Sequence, residues 1–389
     1  MATQIKFGTS GWRAVMAEEF TFANVHRALH GIARYVASQK SNGAKVIVGR
    51  DPRFLGESFC ATAADMLSSY GITPLVIAEP APTPAISYAV IQSKADGAIN
   101  FTASHNPPEY NGIKFSTPDG APSLPEVTQA IEREIAAFDA NPQRPHTTKA
   151  EAQSQSIDPR RMYLSRLREI VDLDVIRKAG VKIAFDPMWG AARGYSDAFL
   201  REAGVTVATV HDSRDVLFGG HAPEPDDRLL EDLRHKMREI GAAIGIATDG
   251  DADRFGIIDD DGTFLQPNYI IALLFDYLVE TRGWKTESGS PLPPPISSTR
   301  LPKNTKSRST KLRLASNTLA NLSSRTRSSS AVKKAPASPS ANTSRRKTAC
   351  SLACSAARWS VAVAPRLASN WATYLPKLVP STRCVRTSA

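Results

Sequence analysis

Three short stretches carry residue types that could do chemistry together. Thr102-Ala103-Ser104-His105-Asn106-Pro107 follows the apolar run Gly97-Ala98-Ile99-Asn100-Phe101, so a strand should end in a tight loop with a hydroxyl at its tip. At the carboxyl end of a strand in an α/β protein, such a group can be reached from solution. An ordinary turn uses the same residue types, so this loop decides little by itself. Thr248-Asp249-Gly250-Asp251-Ala252-Asp253-Arg254 places three carboxylates at alternate positions after the apolar stretch 243–247. Like charges this close repel and raise one another's pKa unless a cation intervenes. Oxygen donors without His or Cys suit Mg²⁺, which keeps open positions for water or phosphate oxygens. No Glu closes a twelve-residue calcium loop. Arg254, beside the carboxylates, could hold a phosphate with its planar fork. Gly8-Thr9-Ser10-Gly11-Trp12-Arg13 offers hydroxyls and backbone amides suited to a phosphate, and equally to a plain turn.

The elements that must position these stretches alternate along the chain. Residues 5–7 read as a short strand entering the loop at 8–13. Val25, Ala28, Leu29, Ile32 and Val36 then recur at helical spacing. Residues 45–48 read as a strand ending in Gly49-Arg50-Asp51-Pro52-Arg53, and residues 58–70 as a helix stopped by Gly71. A strand at 74–78 and a helix at 85–93 precede the Ser104 loop. Asn111-Gly112-Ile113-Lys114-Phe115 follows it, before the turn at Pro118-Asp119-Gly120. The polar residues 141–156, with Pro142 and Pro145, read as a linker or surface excursion. The plan then repeats: strands at 182–185, 205–210 and 243–247, helices at 195–203 and 227–240, a hairpin turning at 259–262, and an apolar helix at 268–281. Such alternation predicts an α/β fold of tandem three-layer α/β/α domains with mixed, mainly parallel sheets. The expected division is a first domain at 1–142, a linker at 143–158 and a second domain at 159–285.

Charge divides the chain more sharply than length does. Of 48 Lys+Arg and 38 Asp+Glu in 389 residues, residues 286–389 hold 18 and one, the acid being Glu287. The first 285 residues therefore hold 30 and 37, so a mildly acidic body carries a strongly basic tail and the overall +10 describes neither. Cys60 stands alone in the body, which fits a reduced compartment with no disulfide framework. Cys350 and Cys354 lack a companion pair at zinc spacing. No apolar run approaches the ~20 residues of a membrane span. The first residues lack the apolar centre of a signal peptide, so a cytoplasmic location is expected.

Taken together, Gly8-Thr9-Ser10-Gly11-Trp12-Arg13, the Ser104 loop, Asn111-Gly112-Ile113-Lys114 and the Asp249 loop resemble the α-D-phosphohexomutases, the family of phosphoglucomutase and phosphomannomutase. The resemblance covers residues 1 to about 285, the first two of that family's four domains. It implies that Ser104 is a phosphoserine in the active form, with Mg²⁺ held by Asp249, Asp251, Asp253 and an oxygen of the Ser104 phosphate. Arg13, His105 and Lys114 would neighbour the transfer, and Arg254, Asn106, Thr9 and Ser10 would contact phosphate. Lys114 is a candidate general acid/base, a role that requires its pKa to be lowered by burial or cationic neighbours. The implied reaction moves a phosphoryl group from Ser104 to a hexose phosphate and back through a hexose 1,6-bisphosphate. Phosphoryl transfer needs charge neutralisation and alignment above all, which these residue types supply. Glucose is the expected hexose. The alternatives are a phosphomannomutase, or a Mg²⁺-dependent phosphosugar-binding or phosphatase remnant. No nucleic-acid or membrane partner is expected.

The tail after about residue 284 changes character, being rich in Ser, Thr, Arg, Lys, Ala and Pro with little periodicity. A disordered basic arm is one reading. Translation in the wrong frame is the other, and the genetic code tests it. With the third base of each codon joined to the first two of the next, the eight residues from Ala331 permit Gly-Glu-Glu-Ser-Ala-Gly-Leu. Continuing through Cys350 permits Thr-Ile-Arg-Glu-His-Ile-Pro-Glu-Lys-Asp-Gly. These strings resemble the third domain of the phosphohexomutases, the first of them its sugar-recognition loop of the glucose type. Residues 286–389 are therefore expected to replace domains three and four by an out-of-frame translation. Sequencing the gene across codons 284–295 should show a slip of one or two bases; a single intact frame through residue 389 would overturn this.

Overall fold

Val46, Ile47 and Val48 are all wholly buried in β2 (Lys45–Arg50), and they face two different cores. Val46 and Val48 pack with α1 (Phe22–Gln39) and α2 (Gly56–Ser69), whereas Ile47 packs with α3 (Thr83–Ser93) on the other side. Opposite faces of one strand buried under helices are what a three-layer α/β/α arrangement requires. The computed structural model describes residues 4–8, 10–40, 42–142, 153–267 and 270. The expected helix at 268–281 apart from Ile270, most of the 143–158 stretch and the tail 286–389 lie outside them.

The first sheet has β2 near its middle. Its order is β1 (Trp12–Val15), β5 (Tyr110–Ser116), β4 (Ala98–Phe101), β2, β3 (Thr73–Ile77) and β6 (Gln155–Ile157). β4, β2, β3 and β6 run parallel; β5 is antiparallel to β4, and β1 at the edge is antiparallel to β5. α1 starts at Thr21, whose hydroxyl accepts the Asn24 N–H, and α2 is followed by Gly71 at φ +70, as its helix-stop reading anticipates. α4 (Pro125–Ala140) buries Ile131 and Ile135 against α1. A Cβ on Gly31 would lie 2.9 Å from the Ile131 carbonyl oxygen, so glycine is what permits that close crossing.

The second sheet runs β11 (Phe264–Leu265), β10 (Phe255–Asp259), β9 (Ile244–Thr248), β7 (Lys182–Asp186) and β8 (Thr206–Thr209). β9, β7 and β8 are parallel, and β10 and β11 form the expected hairpin antiparallel to β9. α8 (Glu231–Ile240) covers one face through Leu233 and Met237. α5 (Pro159–Ile170), α6 (Leu173–Lys178) and α7 (Ser196–Glu202) complete the unit. One apolar cluster runs from Ile47 and α3 through Tyr163 and Leu167 of α5 to Phe185, Ile246 and Ile257. The two sheets thus share buried surface, and their carboxyl-terminal edges meet.

Two expectations are corrected. Residues 5–7 are not a strand: Ile5 and Phe7 are buried, but the Phe7 N–H donates to Glu132 Oε1 at 2.7 Å. The strand begins after the loop, because Gly8 and Gly11 exchange two backbone bonds of 3.1 Å and the chain emerges at Trp12 against β5. Within the supposed linker, Gln155–Ile157 adds a sixth strand, since the open edge of β3 offers unpaired backbone groups to any extended segment beside it. No helix among the described residues is long and apolar enough to cross a membrane.

Phe59 of α2 is buried between Phe20, Phe22 and Phe101, with ring centroids 4.8–5.7 Å away. Phe59→Ala should cost about 3–5 kcal/mol, read as a lower midpoint in chemical denaturation with an unchanged slope.

Candidate active site

A buried charge builds the Ser104 loop. β4 ends at Phe101, and the chain turns through a left-handed conformation at Ser104 (φ 56), which costs a residue with a side chain about 1–3 kcal/mol unless its surroundings enforce it. Arg53 enforces it from below. Its wholly buried guanidinium donates from Nε to Asp51 Oδ2 at 3.1 Å, and from Nη1 to the carbonyls of Pro107 and Tyr110 at 2.7 and 2.9 Å. Nη2 donates to the carbonyls of Ser104 and Asn106 at 2.9 and 2.6 Å. Thr102 Oγ1 donates to Asp51 Oδ2 at 2.6 Å and accepts the Ser104 N–H at 2.8 Å. Phe218, from the second unit, lies 5.0 Å beneath the guanidinium.

The carboxylate loop at the end of β9 meets this turn directly. Asp249 Oδ2 accepts the Ser104 Oγ–H at 2.8 Å, while its Oδ1 accepts the N–H groups of Asp253 and Arg254 at 3.0 Å each. Gly250 makes the approach possible, because a Cβ there would sit 2.6 Å from the Ser104 carbonyl oxygen. Carboxylate oxygens of Asp249, Asp251 and Asp253 all lie within 4.8 Å of one another. Burial, together with the Asp253 and Asp251 charges, pushes the Asp249 carboxyl well above the usual range. Burial would raise Asp251 too, but Lys114 and the Thr83 hydroxyl hold it down at about 2. Asp251 Oδ1 is buried with no hydrogen-bond partner among the described residues. Crowded like charges, hard oxygen donors and an orphaned carboxylate oxygen fit a divalent cation at this point.

The other candidates take different positions around the two loops. Lys114, on β5, sets its Nζ 2.5 Å from Asp251 Oδ2 and 2.9 Å from Asp253 Oδ2. Burial pulls its pKa down, yet the two carboxylates outweigh burial and raise it, so the condition for a lysine base is reversed here. The physical reason is partner charge: Asp251 and Asp253 favour the protonated ammonium. His105 Nδ1 is 3.4 Å from Ser104 Oγ, and burial followed by the Arg254 charge lowers its pKa, leaving the ring neutral near pH 7. Arg13 Nη1 donates to Asn106 Oδ1 at 2.8 Å, tying the first loop to the Ser104 loop. Arg254 shares its guanidinium with Glu224 Oε1 at 3.2 Å. Ser10 and Gly11 line a cavity of about 50 Å³ with Thr83, Ser123, Lys114 and Asp253. Thr9 lies outside the described residues.

Arg53, Asp51 and Thr83 were not anticipated as site residues. A signal existed for two of them: Gly49-Arg50-Asp51-Pro52-Arg53 follows β2, which is parallel to β4, so both loops emerge at the same sheet edge. For Thr83 there was none, since only the packing of α3 against the second unit brings it to Asp251.

Residues 4–141 match the family described as phosphoglucomutase/phosphomannomutase, alpha/beta/alpha domain I, and residues 161–262 match its domain II. A phosphoglucomutase/phosphomannomutase of Thermococcus kodakarensis is 32% identical over 277 residues, 71% of this chain and 60% of the relative. The chain belongs to the phosphoglucomutase/phosphomannomutase family. A "probable phosphoglucosamine mutase" of Methanosphaera stadtmanae is 30% identical over 274 residues, 69% of this chain and 58% of the relative. A crystal structure of a protein from Thermus thermophilus superposes with a TM-score of 0.66 at 34% identity, covering 73% of this chain and 63% of that one. The chain thus spans about 60% of the length of the curated relatives it matches. In family terms, Ser104 and Lys114 fall in the domain I match and the carboxylate loop in the domain II match, so the candidate site sits on the seam between them.

Removing the Arg53 charge leaves Asp51 buried and uncompensated, so Arg53→Met should cost about 3–5 kcal/mol. Arg53→Lys restores the charge without the five-point fork and should fall between that variant and the parent in urea denaturation. Full stability in the Lys variant would show that charge alone holds the loop.

Proposed function

We propose that this chain carries the phosphoserine and cation-binding half of a phosphohexomutase, with Ser104 as the phosphoryl carrier. The observation that supports it most is the 2.8 Å contact between Ser104 Oγ and Asp249 Oδ2, across the seam, beside three mutually close carboxylates. Asp249, Asp251, Asp253 and an oxygen of the Ser104 phosphate would hold Mg²⁺, which when bound supplies charge neutralisation for the phosphoryl group.

The chain's own residues have separable tasks in this reading. Arg53 fixes the Ser104 carbonyl and so aims the side chain. The phosphoserine P–O bond breaks as a hydroxyl oxygen of the hexose phosphate bonds to phosphorus, giving a hexose 1,6-bisphosphate and leaving the Ser104 oxygen. The hydroxyl's proton passes to a base: neutral His105, near Ser104 Oγ, accepts it and hands it to the departing Ser104 oxygen, which regains its hydroxyl. Lys114, protonated between Asp251 and Asp253, donates to phosphoryl oxygens instead. Transfer of the other phosphoryl group back to Ser104 completes the exchange.

The substrate class is a hexose 1- or 6-phosphate. Glucose is favoured by the Gly-Glu-Glu-Ser-Ala-Gly string in the alternative frame, whereas the named relatives extend the class to mannose and glucosamine phosphates. We attribute the basic residues 286–389 to that frame change. The sugar contacts and the site for the non-reacting phosphate would then be absent from the chain as written, and binding energy from such remote groups normally supports turnover.

Treatment with hexose 1,6-bisphosphate and Mg²⁺ should add the mass of one phosphoryl group, mapped to Ser104 and lost in Ser104→Ala. A coupled assay should give weak turnover for the chain as written and strong turnover for the frame-corrected product. Phosphate on another residue would sink the carrier assignment, and robust turnover by the chain as written would sink the account of its tail.

A further inference from the structure

Thr83 opens α3, in the first sheet's unit, yet it grips the metal loop of the second at two points. Its N–H donates to the Asp251 carbonyl oxygen at 2.9 Å, and its Oγ1 donates to Asp251 Oδ2 at 2.5 Å. A threonine hydroxyl has a single proton. Asn100 decides where that proton goes, because its Nδ2 donates to Thr83 Oγ1 at 2.8 Å and so occupies the oxygen as acceptor. The hydroxyl proton is left for Asp251. All three residues are buried. Asn100 lies on β4, four residues before Ser104, with Lys114 as its neighbour across the ladder.

The consequence falls on the two oxygens of Asp251. Oδ2 is saturated by Thr83 and by Lys114 Nζ, whereas Oδ1 stays buried without a partner among the described residues. A buried carboxylate oxygen without a partner is costly unless a cation takes it. Pinning both the carbonyl and one carboxylate oxygen of Asp251 removes the rotation that would let the two oxygens trade places.

We propose that Thr83, oriented by Asn100, is a positioning residue that presents Asp251 Oδ1 to the cation and so ties the strand leading to Ser104 to the carboxylate loop. The inference rests on the cation site proposed above, and its test is chosen so that the two can fail separately. Mn²⁺ alone is titrated calorimetrically into the full chain, Thr83→Val and Thr83→Ser, each both unphosphorylated and after phosphorylation by hexose 1,6-bisphosphate. The thermal unfolding of each protein is measured without metal. Thr83→Val should bind Mn²⁺ about ten- to a hundredfold more weakly, the range seen when a group orienting a ligand is lost. Thr83→Ser, which keeps the hydroxyl, should restore affinity to within about threefold of the parent, well inside the loss for that class of contact. Equal affinity in Thr83→Val and the parent would overturn the role of Thr83 while leaving the cation site standing. Parallel losses of affinity and thermal stability in both variants would overturn it as well, showing a structural residue only. A parent protein that fails to bind Mn²⁺ would sink the cation site itself, and this inference with it.

Discussion

Arg53 occupies the one kind of position where a buried guanidinium is not a liability. All five of its N–H groups are used, one on Asp51 and four on carbonyls of the turn from Ser104 to Tyr110. A charge taken out of water is tolerated when it is paired and its remaining protons are satisfied. The planar fork distributes those bonds over the whole turn at once, which an ammonium could not do. The left-handed turn at Ser104, and with it the direction of the hydroxyl, follows from this arrangement. Thr102 closes the network by bridging Asp51 to the Ser104 N–H.

The second unit answers this buried cation with three crowded carboxyl groups. Asp249, Asp251 and Asp253 crowd together where the sheet edges meet, and Lys114 offsets part of their charge. The division of labour among the three is visible in their partners. Asp249 faces the Ser104 hydroxyl, Asp251 faces Thr83 and Lys114, and Asp253 shares Lys114. No single unit holds a complete constellation. Membership of the phosphoglucomutase/phosphomannomutase family therefore has a physical correlate here: the two matched domains are coupled through shared hydrophobic core and through polar contacts at the candidate site itself.

Much of the fold was legible because the apolar periodicity is clean. Val25, Leu29, Ile32 and Val36 mark α1, and the run at 45–48 marks the buried strand β2. α4 was missed although Val127, Ile131 and Ile135 recur every fourth residue, and α5 was missed between charged residues that mask Tyr163, Leu164 and Leu167. Residues 5–7 misled for the opposite reason. An apolar, extended segment need not join a ladder when a side chain such as Glu132 takes its N–H.

From residue types alone came the hydroxyl at Ser104, the hard-oxygen triad, the two-unit α/β plan and the break in composition near residue 284. Each depends on local chemistry, such as charge at alternate positions, a strand stopped by Asn-Pro, or a shift of composition into Ser and Arg. Only the tertiary structure decided that Asp249 faces Ser104 rather than solvent, that Lys114 pairs with Asp251 and Asp253, and that Arg53 and Thr83 reach the two loops. These are contacts between residues separated by as many as 168 positions. Nothing in the spacing of a chain specifies which loops two sheets bring edge to edge; the burial of α3 and α5 between the sheets does.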